Sequence, residues 1–194
     1  MSAIIGAGVG PDSEDGGQQE GGQRGRRGAR AAAEAEYSRQ DWWERGREIV
    51  IRQLSMMDRS RVQLSDAMAR RGVPEDVRGE VLDHFEGLGL IDDEHFAQAL
   101  VRTRFAERGS SRRAIGEELR RKGVDERIVE EAVGLIDDEA EFDAAVTLAC
   151  KRMERADGNP ATLERRVYAA LARRGYSPEV CSRALGEARR RTLG

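Results

Sequence analysis

The chain has 194 residues, 39% hydrophobic and only 5% aromatic, with 33 Lys and Arg against 36 Asp and Glu. A formal charge of −3 creates no global field that would demand a nucleic acid or a membrane as partner. No run of roughly 18 apolar residues and no charged-then-apolar leader occurs, and Cys150 and Cys181 make neither a disulfide framework nor a metal pattern, so a soluble protein of the reducing cytoplasm is expected.

Residues 1–40 open with a stretch rich in Gly, Gln, Glu and Arg that offers too little apolar surface to offset the entropy of ordering, so a disordered tail is expected. Within it, Ala3-Ile4-Ile5-Gly6-Ala7-Gly8-Val9-Gly10 imitates the start of a dinucleotide fingerprint. Pro11 occupies the third glycine position and neither a strand nor a helix flanks it, so no cofactor is expected. Arg24, Arg26, Arg27 and Arg30 read as a solvated, mildly basic patch. Trp42 and Trp43 follow; adjacent on a helix, they cannot share one face, so one packs and the other stays wet or stacks on a base.

From there the pattern is helical, and it repeats. In residues 41–90, Ile49, Val50, Leu54 and Met57 form a first amphipathic stripe. Ser60 and Gln63 form a capping box before Val62, Leu64, Ala67 and Met68, and Pro74 opens a third helix carrying Val77, Val81, Leu82 and Phe85. Residues 91–136 repeat the scheme with Phe96, Leu100, Val101 and Phe105, then Ile115 and Leu119, then Ile128, Val129, Ala132 and Val133. Residues 137–194 do so again with Phe142, Val146, Ala149 and Met153, then Val167 and Leu171, then Val180, Cys181, Ala184 and Leu185.

Gly72, Gly123 and Gly175 stand 51 and 52 residues apart and anchor the comparison. Before each lie the columns Leu64/Ile115/Val167 and Met68/Leu119/Leu171; after each lie Val77/Ile128/Val180 and Leu82/Val133/Leu185. An all-α fold of three tandem three-helix repeats follows, expected to be elongated and curved with a concave binding face. The junction Gly89-Leu90-Ile91-Asp92-Asp93-Glu94 returns as Gly134-Leu135-Ile136-Asp137-Asp138-Glu139. Each copy predicts a left-handed Gly ending one helix, a buried Leu-Ile plug through which small repeats stack, and an Asp capping the next helix.

The segment Gly89-Leu90-Ile91-Asp92-Asp93-Glu94-His95-Phe96-Ala97 resembles the hallmark segment of the RecX family. So do Met68-Ala69-Arg70-Arg71-Gly72 and Leu171-Ala172-Arg173-Arg174-Gly175. The resemblance covers residues 44–190. It implies three helical repeats without enzymatic activity that bind the RecA recombinase filament, with single- or double-stranded DNA inside it, and restrain its ATPase and strand exchange in recombination, repair and the SOS response. In that role Gly89, Leu90, Ile91, Asp92, Asp93, Phe96 and Ala97 are structural. A monomer is expected.

Candidate contacts come from the basic residues. Arg70-Arg71, Arg121-Lys122 and Arg173-Arg174 sit in the last turns of the second helices, where cations also complement the helix dipole. Arg59, Arg61, Arg112, Arg113, Arg165 and Arg166 lie near the N-terminal ends of those helices, where a cation is unfavourable, and so are the better candidates. Arg112 and Arg113, beside a flexible Gly109-Ser110-Ser111 turn, lead the set. The Asp92–His95 cluster does not converge on one ion, because adjacent helical residues diverge, and capping is the simpler role. With His84 and His95 the only histidines and no phosphate-cradling loop, nothing indicates catalysis. Two other readings stay open: a sequence-nonspecific DNA-binding helical module, and a helical scaffold for an unrelated partner.

Overall fold

A computed structural model describes residues 37–155 and 159–193, and every regular element among them is helical. The first 36 residues, with the dinucleotide-like stretch and the arginines of the expected tail, lie outside the described residues. The elements run α1 (Arg39–Leu54), α2 (Arg61–Ala69) and α3 (Glu75–Gly87). Then come α4 (Asp93–Arg102) with a π-helical turn (Thr103–Glu107), α5 (Arg112–Arg121) and α6 (Glu126–Gly134). The last three are α7 (Asp138–Glu154), α8 (Pro160–Arg173) and α9 (Pro178–Leu193).

Tyr37–Trp42 fall in one unit and the described residues from Trp43 on in another. In the first unit Ser38 opens α1: its N–H and hydroxyl donate to Asp41 at 2.8 and 2.7 Å, and the Asp41 N–H donates back to Ser38 Oγ. These bonds hold the Asp41 carboxyl below its usual range. Trp42 is buried and lies 4.9 Å from the Tyr37 ring. In the second unit half-buried Trp43 meets His84 edge-on at 5.5 Å.

Polar side chains start most helices. Ser60 and Gln63 form the expected capping box on α2, and Asp92, Ser111, Asp125, Asp137 and Asn159 cap α4 to α8. The second helix of every repeat ends in the same Schellman motif. Val73, Val124 and Tyr176 N–H groups donate to the carbonyls of Met68, Leu119 and Leu171, around Gly72, Gly123 and Gly175 at φ 81°, 78° and 89°. The residue after each glycine is buried, an apolar column the periodic spacing did not reveal.

The junctions differ from expectation in two ways. Gly89 (φ 68°) ends α3 in the left-handed region, but Gly134 is the last residue of α6 and α6 closes on Leu135 in ordinary helical geometry. Only half of each Leu-Ile plug is buried: Ile91 and Ile136 are inside, whereas Leu90 and Leu135 are 56% and 71% exposed. Met57, past the end of α1, and Val62 are exposed too.

The repeats also close their own cores. Phe96, Ala97, Leu100, Val101, Ile115, Leu119, Val129, Ala132 and Ile136 make one cluster. Ala145, Val146, Ala149, Val167, Leu171, Tyr176, Cys181, Ala184 and Ala188 make another. Neighbouring repeats meet at helix ends: the carbonyl at the end of each following second helix accepts a bond from the capping serine of the one before. Ser60 Oγ donates to Lys122 O, and Ser111 N donates to Arg174 O at 2.9 Å. Both serines are buried. Each joint thus satisfies orphan groups of two helices at once.

Close approach at these joints demands glycine twice over. A Cβ on Gly123 would lie 2.4 Å from Val62 Cβ, and one on Gly175 would lie 2.6 Å from Ala114 Cβ and Ser111 Oγ. The Gly109-Ser110-Ser111 turn is pinned rather than free. Tyr176 Oη donates to Gly109 O at 3.1 Å, and burial pushes the Tyr176 hydroxyl up to about 12.

Candidate interaction surface

The arginines at the first helical position of α2 and α5 sit where a bare cation opposes the dipole, and carboxylates from the following repeat resolve the conflict. The Arg61 N–H donates to Asp93 Oδ1 at 2.8 Å, and the Arg112 N–H donates to Glu141 Oε1 at 2.8 Å. The Arg61 guanidinium pairs with Asp83 at 2.7 Å and with Glu86. The Arg112 guanidinium pairs with Glu141 at 3.1 Å and with Asp138, and donates to Ile136 O at 3.2 Å. These two candidate contacts are committed inside the protein. Arg113 is partly so: it pairs with Glu117 at 2.9 Å and donates to Gly175 O at 3.2 Å, yet its side chain is 65% exposed.

The junction residues separate in the same way. Asp92 Oδ1 accepts from His95 N at 2.8 Å as a cap, Asp93 reaches across to α2, and Ile91, Phe96 and Ala97 are core. Burial raises the Asp93 carboxyl despite the Arg61 N–H bond that lowers it. Among the described residues no group of three or more His, Cys, Asp or Glu could hold a metal ion. Cys150 and Cys181 are free thiols, and burial pushes the Cys181 thiol up.

In the second repeat the π-helical turn aims Arg104 at α5, where it pairs with Glu118 through two bonds of 2.6 and 2.7 Å. The Arg104 hydrogen bond holds the Glu118 carboxyl below its usual range. Glu118 also lies 4.0 Å from Lys122, so one basic position of that repeat's doublet has an internal counter-charge.

Other predicted cations are less committed. Arg70, Arg121, Arg165, Arg166 and Arg173 are exposed, and no ion pair holds them among the described residues. Arg71 donates to Ala67 O at 3.3 Å, and Arg174 contributes its backbone carbonyl to the Ser111 joint. Arg59 lines a hollow of about 370 Å³ with Leu54, Asp58, Leu90, Asp92 and His95.

A larger groove, about 560 Å³, lies between α7 and α8. Arg166 and Arg173 line it together with Lys151, Arg152 and Arg155, over a floor of Leu148, Leu163 and Val167. The spacing of the repeated second helices does not point to the last three cations, which lie at the end of a first helix. The signal was there: Lys151, Arg152 and Arg155 share the last turn of a first helix at spacings that keep 151 and 155 on one side.

Sequence models of the first, second and third three-helix domains of RecX match residues 47–85, 92–133 and 139–185. The chain belongs to the RecX family. A "Regulatory protein RecX" of Thermobifida fusca (strain YX) is 41% identical over 149 residues, 76% of this chain and 80% of that protein. One from Streptomyces lividans is 37% identical over 179 residues, 92% of this chain and 90% of the relative. The crystal structure of RecX from Lactobacillus salivarius superposes with a TM-score of 0.66 at 26% identity, covering 76% of this chain and 97% of that one. RecX relatives are thus named as regulators, in keeping with a non-enzymatic role, and no helix of this chain is long and apolar enough to cross a membrane among the described residues.

Proposed function

We propose that this RecX-family chain is a regulator without catalytic activity that binds a RecA recombinase filament in the cytoplasm and restrains its ATPase and strand exchange, thereby acting on recombination and repair. Membership of the family along the whole repeat region carries the reading, since three domains match in order and relatives named as regulatory proteins align over most of their length. Three repeats offer equivalent second helices in series, and each presents arginines to solvent at its ends. A serial surface of that kind suits a serial partner, such as neighbouring subunits of a filament. The action is steric: one chain spanning adjacent subunits opposes the motion that accompanies ATP turnover and obstructs the incoming strand.

Sedimentation of recombinase filaments formed on single-stranded DNA tests the binding step. The chain is expected in the pellet only with the recombinase present, and Arg70→Ala with Arg121→Ala is expected to weaken its retention without changing its thermal stability. Retention unchanged in that variant would move the contact surface elsewhere. Absence of wild-type chain from the pellet would refute the reading.

A further inference from the structure

The three repeats share their elements, but the two joints between them are not built alike. At the second joint, between the second and third repeats, Arg112 donates its backbone N–H and its Nε to Glu141 at 2.8 and 3.1 Å, and its guanidinium also pairs with Asp138. Arg113 Nε donates to Gly175 O at 3.2 Å, and Ser111 N donates to Arg174 O at 2.9 Å. Tyr176 Oη returns a bond to Gly109 O at 3.1 Å. The links therefore run both ways, from α5 into the third repeat and from the third repeat back to the turn before α5.

Among the described residues the first joint keeps only part of this set. Ser60 Oγ donates to Lys122 O, and the Arg61 N–H donates to Asp93 Oδ1 at 2.8 Å. The Arg61 guanidinium does not cross: it turns back to Asp83 and Glu86 of its own repeat. Counted from the central glycines, Val62 stands where the second joint has Arg113, and Val124 where it has Tyr176. Counted from the junction glycines Gly89 and Gly134, Phe96 stands where the second joint has Glu141, and Phe96 is buried in the core of its own repeat. Val62 does lie against Gly123, but it is 42% exposed, and dispersion contact lacks the direction of a hydrogen bond.

The cores of the second and third repeats are separate clusters, so relative motion of repeats is resisted by the links at the joints. A joint with fewer directional links opens and twists at lower free energy, and hinge motion collects at the few element-terminal residues that yield first. We infer that the chain hinges between its first and second repeats, around Ser60, Arg61, Asp93 and Lys122, while the second and third repeats move as one rigid body. A partner that presents its sites in series then meets a chain that adjusts one repeat against a fixed pair.

Double electron–electron resonance on the full chain, with no recombinase present, tests this. Nitroxides carried on an unnatural amino acid are placed at positions 70, 121 and 173, each exposed and two residues before its central glycine, so that Cys150 and Cys181 stay as they are. The labels then sit in equivalent places, and the width of each distance distribution reports the joint between them. The 70–121 distribution is expected to be roughly twice as wide as the 121–173 distribution. Tyr176→Phe with Arg113→Ala removes two of the extra links and is expected to widen the 121–173 distribution while leaving 70–121 unchanged. Equal widths in the wild type, or a wider second joint, would overturn the proposal, as would a double variant whose 121–173 width does not change. If the double variant loses helical circular dichroism, Tyr176→Phe alone, which removes one hydroxyl, takes its place in the same comparison. Since no recombinase is present, failure here leaves the filament reading untouched.

Discussion

Gly123 and Gly89 both have positive φ, but only Gly123 has a neighbour where a Cβ would go. Alanine at Gly89 meets only the cost of the left-handed conformation, about 1–2 kcal/mol. Alanine at Gly123 meets that cost and also drives its methyl into Val62, so the joint between the first two repeats must open. Thermal melts of the two variants check this: with about 2–4 °C per kcal/mol for a chain of this size, Gly89→Ala falls a few degrees and Gly123→Ala clearly further. Equal shifts would show that the joint yields easily. Glu118 gives a second test at this scale. Its carboxyl is held low by Arg104, so the pair contributes stability that is present above the ordinary carboxylate pKa and is lost as pH falls through and below that range. The stability advantage of wild type over Glu118→Gln should be greatest near neutral pH and shrink steadily toward about pH 3. A constant difference across that range, in urea melts, would contradict the ion-pair account.

At the scale of elements, the second helices are linked end to beginning: the cap of one repeat satisfies the terminus of the next. Arg112 is central to the joint between the second and third repeats, with Glu141, Asp138 and Ile136 O around it, whereas Arg113 is mostly solvated. Arg112→Ala is therefore expected to destabilise the fold by roughly 1–3 kcal/mol and Arg113→Ala by well under about 1 kcal/mol, read from denaturant midpoints. The reverse order would mean that Arg112 is not the structural member. Much of this level was legible in the chain. The glycine column, the Ser60–Gln63 box and the Asp92 and Asp137 caps announce themselves through local rules, each needing only its neighbours in sequence. What stayed hidden needed partners far along the chain. Arg61 and Arg112 broke the dipole rule and so resembled functional residues, until Asp93 and Glu141 supplied the missing negative charge. Leu90 and Leu135 are as apolar as their neighbours, yet only Ile91 and Ile136 are buried, a choice made by tertiary packing and not by hydrophobicity. Gly134 looked like Gly89 because the letters match, but α6 reaches its end without a left-handed residue.

At the scale of the whole molecule, the repeats differ more in charge than in architecture. In the second repeat Glu118 meets Arg104 and Lys122, whereas in the third Lys151, Arg152, Arg155, Arg166 and Arg173 line one groove with no ion pair among the described residues. This division of labour fits our proposal of a regulator that meets a filament made of protein and nucleic acid together. The most direct test is DNA-dependent ATP hydrolysis by the cognate RecA on preformed filaments, titrated with this chain. The account predicts inhibition that sets in well below one chain per recombinase subunit, because each bound chain spans neighbouring subunits. Unchanged hydrolysis at equimolar ratio, with no chain retained on sedimented filaments, would contradict it and leave a helical scaffold for another partner as the better description.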